Sequence, residues 1–305
     1  MTHATLPLPA AGTDELTMAI ISYLGRARSA NTFKLYKYHL GLFIDWCKAH
    51  GFHPLHDVQR THIEFYVRHL IEERGLKASS VHTAMTPVKG FYDFAVWDRR
   101  ITFDPARRVA LPKVEHTKKE IVAQRELNLF LEVAKETSPR HHCLVAFLSS
   151  MALRISEAAS LRFENFTGYE RGMPTITFTE KGGGTRTTPV PMPLLPVLER
   201  VRNGRDEGPI ITQRDGVSPL TRHGATGLVE TVNRRAMKQG LTRHINPHLL
   251  RAMAITEAFN MNMSVRDVQE FARHADPRTT SRHYDLGHVN TYRHPVHQVA
   301  ARLAV

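Results

Sequence analysis

Cysteine is nearly absent, with only Cys47 and Cys143 in 305 residues. Each sits in an apolar run with helical spacing, so both read as small buried side chains, and a disulfide framework or thiolate metal site is excluded. No apolar run approaches the ~20 residues that a membrane-spanning helix requires. The first residues also lack the basic-then-apolar pattern of a secretion signal, so a cytoplasmic protein with no membrane partner is expected. Acidic residues are the minority, 29 Asp and Glu against 41 Lys and Arg. They form no sequence cluster of the kind that holds Mg²⁺, which argues against metal-dependent nuclease chemistry. Gly182-Gly183-Gly184 is followed by neither Lys-Ser/Thr nor a helix pattern, so it is no phosphate-binding P-loop.

What remains is a basic chain. The formal charge is +12 and the isoelectric point near 9.9, a balance that suits a polyanion, because Lys and Arg gain affinity by releasing the counterions condensed on phosphate. The hydrophobic content of 42% is enough to build cores for one or two domains. Residues 1–13 read as a loose tail, too short to hold a further DNA-binding domain. Residues 14–105 carry helical periodicity, notably Phe33, Tyr36, Leu40, Phe43, Ile44 and Cys47, then Val81, Met85, Val88, Phe91, Tyr92 and Phe94. Lys34, Lys37 and Lys89 fall between the apolar positions and are candidates for phosphate contact. Residues 106–119, with Arg107, Arg108, Lys118 and Lys119, read as a basic linker.

Residues 120–288 form the second region and 289–305 a mixed apolar tail. Helices are expected over 125–137, 139–152, 154–163, 192–203 and 221–239, the last made basic by Arg234, Arg235 and Lys238. A hairpin is expected from Thr175–Thr179 and Thr185–Val190, turning at Lys181 and the glycines. The densest stretch is 244–284. Asn246-Pro247 is a helix start, since Asn caps the free backbone donors and Pro fits the first turn. His248 and Arg251 then share one face near a helix N-terminus that favours an anion. Ser264 begins a second helix ending near Arg273-His274, and Asp276-Pro277 a third, with Tyr284 about two turns in. His244 and His248 are four apart, but no carboxylate or thiolate adjoins them in sequence to complete a zinc set.

His-x-x-Arg, His274 and Tyr284 in this order resemble the catalytic box of the tyrosine recombinases, the integrase family of phages and mobile elements. Met151-Ala152-Leu153-Arg154-Ile155-Ser156-Glu157 is similar to the family's first box, in which a small turn precedes an Arg and an acidic residue three later braces it. The family carries its catalytic lysine on a hairpin just before a Gly, where Lys181 stands. Two steps of the pattern differ: Ala272-Arg273-His274 replaces the common Leu-Gly-His, and Tyr284 follows His274 by ten residues.

The resemblance implies a mainly α fold with a small β-sheet, an N-terminal helical SAM-like domain at 14–105 and a catalytic domain at 120–288. It implies that Arg154 and Arg251 grip a phosphodiester, that Tyr284 attacks it, and that Lys181 protonates the leaving 5′ oxygen. Of His248 and His274, one would be the base and the other a hydrogen-bond donor. The product would be a 3′-phosphotyrosyl link made without metal or other cofactor. Double-stranded DNA, a homotetramer on it and an accessory or directionality factor are the implied partners, inside a bacterial or phage-infected cell. Integration or excision of a phage or mobile element is the main expectation, and a Xer-type dimer resolvase the alternative. A type IB topoisomerase would share the chemistry without pairing sites, and a repressor-like DNA-binding protein would need no catalysis at all.

Overall fold

The computed structural model describes residues 14–115, 122–180, 183–261 and 263–273. The chain divides into two compact units, Met1–Thr117 and Lys118–Val305. Among the described residues no helix is long and apolar enough to cross a membrane.

The first unit is helical. Helix α1 (Glu15–Gly25) starts where Asp14 accepts the Thr17 N–H at 2.9 Å, and α2 (Ala30–Ala49) is capped by Ser29 in the same way. Helix α3 (Arg60–Arg68) runs into one wider turn at His69–Glu73, and α4 (Ala78–Trp97) carries a buried proline, Pro87. Phe43, Tyr66, Phe91 and Tyr92 are fully buried between these helices, each contributing roughly 1.5–3 kcal/mol by leaving water. The Tyr92 hydroxyl donates to the Pro54 carbonyl at 2.7 Å, so its burial leaves no donor unpaired. Residues 106–112, read from the sequence as the start of a linker, fold back on α4. Ala106 and Val109 join the core, and the Lys89 ammonium donates to the Val109 carbonyl at 2.8 Å.

The second unit opens with α5 (Gln124–Thr137) and α6 (Pro139–Ser150), and α6 is its central helix, with Cys143 through Leu148 all buried. Helix α7 (Ile155–Ser160) is shorter than the 154–163 expected, because Leu161 is extended and a single tight turn follows at Phe163–Asn165. An antiparallel sheet comes next, β1 (Phe166–Glu170), β2 (Met173–Thr179) and β3 (Thr185–Pro189), in the order β1-β2-β3. Strand β1 has no apolar alternation to reveal it: it is an edge strand, largely exposed, with a register shift at Gly168. The unit closes with α8 (Leu195–Arg202), α9 (Arg222–Lys238), α10 (Pro247–Asn260) and α11 (Val265–Ala272). Asn246 and Ser264 cap the last two as their sequence signals indicate, accepting from Leu249 N–H and Asp267 N–H. A small apolar cluster of Ala152, Ala254, Ile255, Ala258, Val268 and Ala272 fixes α11 and the Ala152 turn against α10. That cluster positions the site.

His141, at the start of α6, is buried, with its Nδ1 2.7 Å from the Ser138 hydroxyl. Burial, with Arg140 and Arg235 adding to it, pushes its pKa down to about 4. The unfolded chain takes up this proton first, near pH 6.5, so the native state keeps its full stability above that pH and loses it as pH falls towards 4. The loss is on the order of 3 kcal/mol. Melting temperature should therefore drop across this window, and less steeply in His141→Gln; equal slopes would assign the effect to another group.

Candidate active site

The site is built on a turn. Ala152 has a left-handed backbone (φ +47°), and Arg154 follows it in an extended conformation at the start of α7. Glu157, one turn later and 3% exposed, accepts the Arg154 backbone N–H and its guanidinium Nη1, each at 2.7 Å. The spacing of three makes this possible, since the first-turn carboxylate reaches back to the capping residue. Arg154 is held from both ends of its own side chain.

Arg251 reaches the same turn from α10. Its guanidinium is buried and donates to the carbonyls of Ala152 and Ala272, linking the turn to the end of α11. His248, one turn earlier on that face, is exposed while Arg251 points inward, so the two share a face but not an environment. Arg273, which closes α11, has a left-handed backbone (φ +53°) and is also buried. Its Nη1 donates to the Met151 carbonyl at 3.2 Å and its Nη2 to the Ala152 carbonyl. Nη2 is also 3.5 Å from the Glu157 carboxylate, and the guanidinium lies 5.4 Å from the centre of the Phe178 ring of β2. Next to Phe178, at the end of β2, Glu180 pairs with Arg186 at 3.3 Å and acts electrostatically on both Arg251 and Arg273.

Four guanidiniums, of Arg154, Arg186, Arg251 and Arg273, thus face two carboxylates in a partly dry setting. Burial, and then repulsion from Arg154 and Arg273, lowers the pKa of Arg251 to about 10. Burial also lowers Arg273. An anion set among these groups relieves that repulsion, and two guanidiniums match the oxygens of a phosphodiester.

Of the residues proposed from sequence, the structure brings Arg154, Glu157 and Arg251 together. Lys181, His274 and Tyr284 lie outside the described residues, as do the expected third helix and both tails. Lys34, Lys37, Arg107, Arg108, Arg234 and Arg235 are exposed, and Arg235 also reaches the Thr137 hydroxyl at 3.4 Å. Lys89 is half-buried, and its ammonium gives one of its three donors to the Val109 carbonyl at 2.8 Å. His244 pairs with Glu230 of α9 at 2.9 Å, a contact from one element to another that no local spacing could announce. Among the described residues no group of three His, Cys, Asp or Glu could hold a metal. Sequence reading missed Arg273. The signal was present, since a helix-ending position of this kind ordinarily takes Gly.

A family model described as the phage integrase family matches residues 120–291, over half the chain, and one for the N-terminal SAM-like domain of phage integrases matches residues 21–99. The chain belongs to the phage integrase family. Among curated proteins it is similar to tyrosine recombinase XerD of Corynebacterium glutamicum, with 28% identity over 84% of this chain and 87% of the relative. Among solved structures it shares its fold with the Tn1549 transposon integrase in complex with transposon right end DNA, with 17% identity, a TM-score of 0.74 and coverage of 95% and 99% of the two chains. A lambda integrase tetramer bound to a Holliday junction has the same fold, with 14% identity, a TM-score of 0.68 and coverage of 88% of this chain and 76% of that one.

Proposed function

We propose that this chain, a tyrosine-type site-specific recombinase by family, exchanges DNA strands at paired sites to integrate or excise a phage or mobile element. The observation that carries the reading is the convergence of Arg154 and Arg251, from elements far apart in sequence, on one turn braced by Glu157. Two fixed guanidiniums can balance the charge that builds on a five-coordinate phosphorus. Tyr284 is then the nucleophile; its phenol, of ordinary pKa ~10, needs a proton acceptor to attack at neutral pH. His248 is assigned as that acceptor, His274 as a donor to the phosphate, and Lys181 as the acid for the leaving 5′ oxygen. The 3′-phosphotyrosyl bond stores the energy of the bond cleaved, so a 5′ hydroxyl from a second duplex can reseal it with no cofactor.

Residues 14–105 act in this scheme as the core-DNA-binding domain, 106–119 as the linker and 120–288 as the catalytic domain, with 289–305 packing on a neighbouring subunit. Lys34, Lys37, Arg107, Arg108, Arg234 and Arg235 are assigned to the phosphate backbone. Exchange between two duplexes needs four active sites, hence a homotetramer on DNA, open to an accessory or directionality factor. A second reading, resolution of chromosome or plasmid dimers, is favoured by the likeness to XerD. The two differ in substrate arrangement and not in chemistry.

The test is a nicked suicide duplex from the sequence flanking the gene, incubated with protein and EDTA and run on a denaturing gel. A slow protein–DNA band is expected. Tight, specific binding to that duplex with no band would instead support a DNA-binding protein without catalysis.

A further inference from the structure

Arg273 presents a cost without an evident return. A left-handed backbone disfavours any residue with a Cβ by roughly 1–2 kcal/mol, and the guanidinium is among the hardest groups to bury. Gly would close α11 without either penalty. The α11 cap does not need the side chain, because it is the Arg273 backbone N–H that bonds to the Gln269 and Glu270 carbonyls. What the side chain touches instead is the turn that precedes Arg154.

The contacts run in both directions. The Arg273 guanidinium donates to the Met151 and Ala152 carbonyls and stands 3.5 Å from Glu157. In return, the Arg273 carbonyl accepts Nη2 of Arg154 at 3.0 Å. The segment that aims Arg154 is therefore tied to residue 273 through its backbone, and the Arg154 guanidinium is tied to residue 273 through its tip. With Gly at 273 only the second tie would exist. The Met151 and Ala152 carbonyls would then depend on Arg251 alone, which reaches only Ala152. Phe178 beneath the Arg273 guanidinium limits its swing to one side.

We infer that Arg273 is a positioning residue for strand cleavage, fixing the 151–153 turn and the Arg154 guanidinium so that the phosphate meets Arg154 already in place. It does not itself touch the reacting atoms. Its contribution belongs to the cleavage step, where a fixed guanidinium matters, and not to DNA affinity, which many exposed cations share.

This inference rests on the recombinase reading, and the experiment separates the two. Wild-type, Arg273→Gly and Arg273→Lys proteins are compared on the suicide duplex at saturating protein, with DNA affinity measured alongside. Wild-type protein that binds the duplex tightly and specifically yet forms no covalent adduct would count against the recombinase reading itself. Given a wild-type adduct, Arg273→Gly should slow its formation about tenfold or more while affinity stays within about threefold. Arg273→Lys, which can hold one carbonyl but not two, should fall between. An unchanged rate in Arg273→Gly overturns the inference. So does a parallel loss of rate and affinity, which would mean that Arg273 only supports the fold. Should Arg273→Gly fail to fold, the rate and affinity of Arg273→Lys decide by the same criteria, with a smaller slowing expected.

Discussion

Tyr284→Phe should bind DNA and leave it uncut. The substitution removes one oxygen, the atom that would bond to phosphorus, so adduct formation on the suicide duplex should fall by roughly 10⁴-fold or more. Affinity should barely change. A lost hydrogen bond costs about 0.5–1.5 kcal/mol, whereas a chain of formal charge +12 spreads its grip over many phosphates. A gel that still shows the adduct would move the nucleophile to another residue. Loss of binding along with cleavage would make Tyr284 a structural side chain.

Glu157→Ala should be among the most destabilising single changes in the second unit. The Glu157 carboxylate is buried between the Arg154 backbone N–H and guanidinium, with Arg273 nearby. Removing it leaves those guanidiniums, and Arg251 beside them, with their nearest counter-charge gone. Breaking a buried ion pair from one side costs about 3–5 kcal/mol, which for a unit of this size corresponds to a fall in melting temperature of about 10 °C. Glu157→Gln keeps an acceptor for the Arg154 N–H but not the charge, so it should fall between wild type and Glu157→Ala. Because Glu157 also sets the direction of Arg154, both variants should lose cleavage at temperatures where they remain folded. A Glu157→Ala protein that melts with the wild type would show that the arginines find water or another partner, and that the carboxylate is no brace.

Local signals carried much of the fold. The caps Asn246 and Ser264 act where the sequence puts them, because a cap is a contract between residues three apart. The periodic apolar run of α4 is buried as spaced, that of α2 is buried from Leu40 on with Phe33 and Tyr36 half-buried at the core's edge, and Cys47 and Cys143 are the small core side chains their surroundings suggested. Strand β1 escaped because an exposed edge strand needs no apolar pattern. Ala106, Val109 and Leu111 stand among basic residues with no helical period, yet they suffice to join a core already formed by α4.

The same division holds at the site. The sequence by itself specified the local pair of Arg154 and Glu157, which a spacing of three can set. Tertiary structure alone decided that Arg251 and Arg273, 99 and 121 residues from Ala152, donate to its carbonyl. It also decided that Lys89 donates to the Val109 carbonyl and that Glu230 meets His244. The reason is that such meetings depend on how helices pack: the Ala152, Ile255 and Val268 cluster brings α10, α11 and the turn together, and no residue within that cluster carries a mark in the sequence of what it will touch.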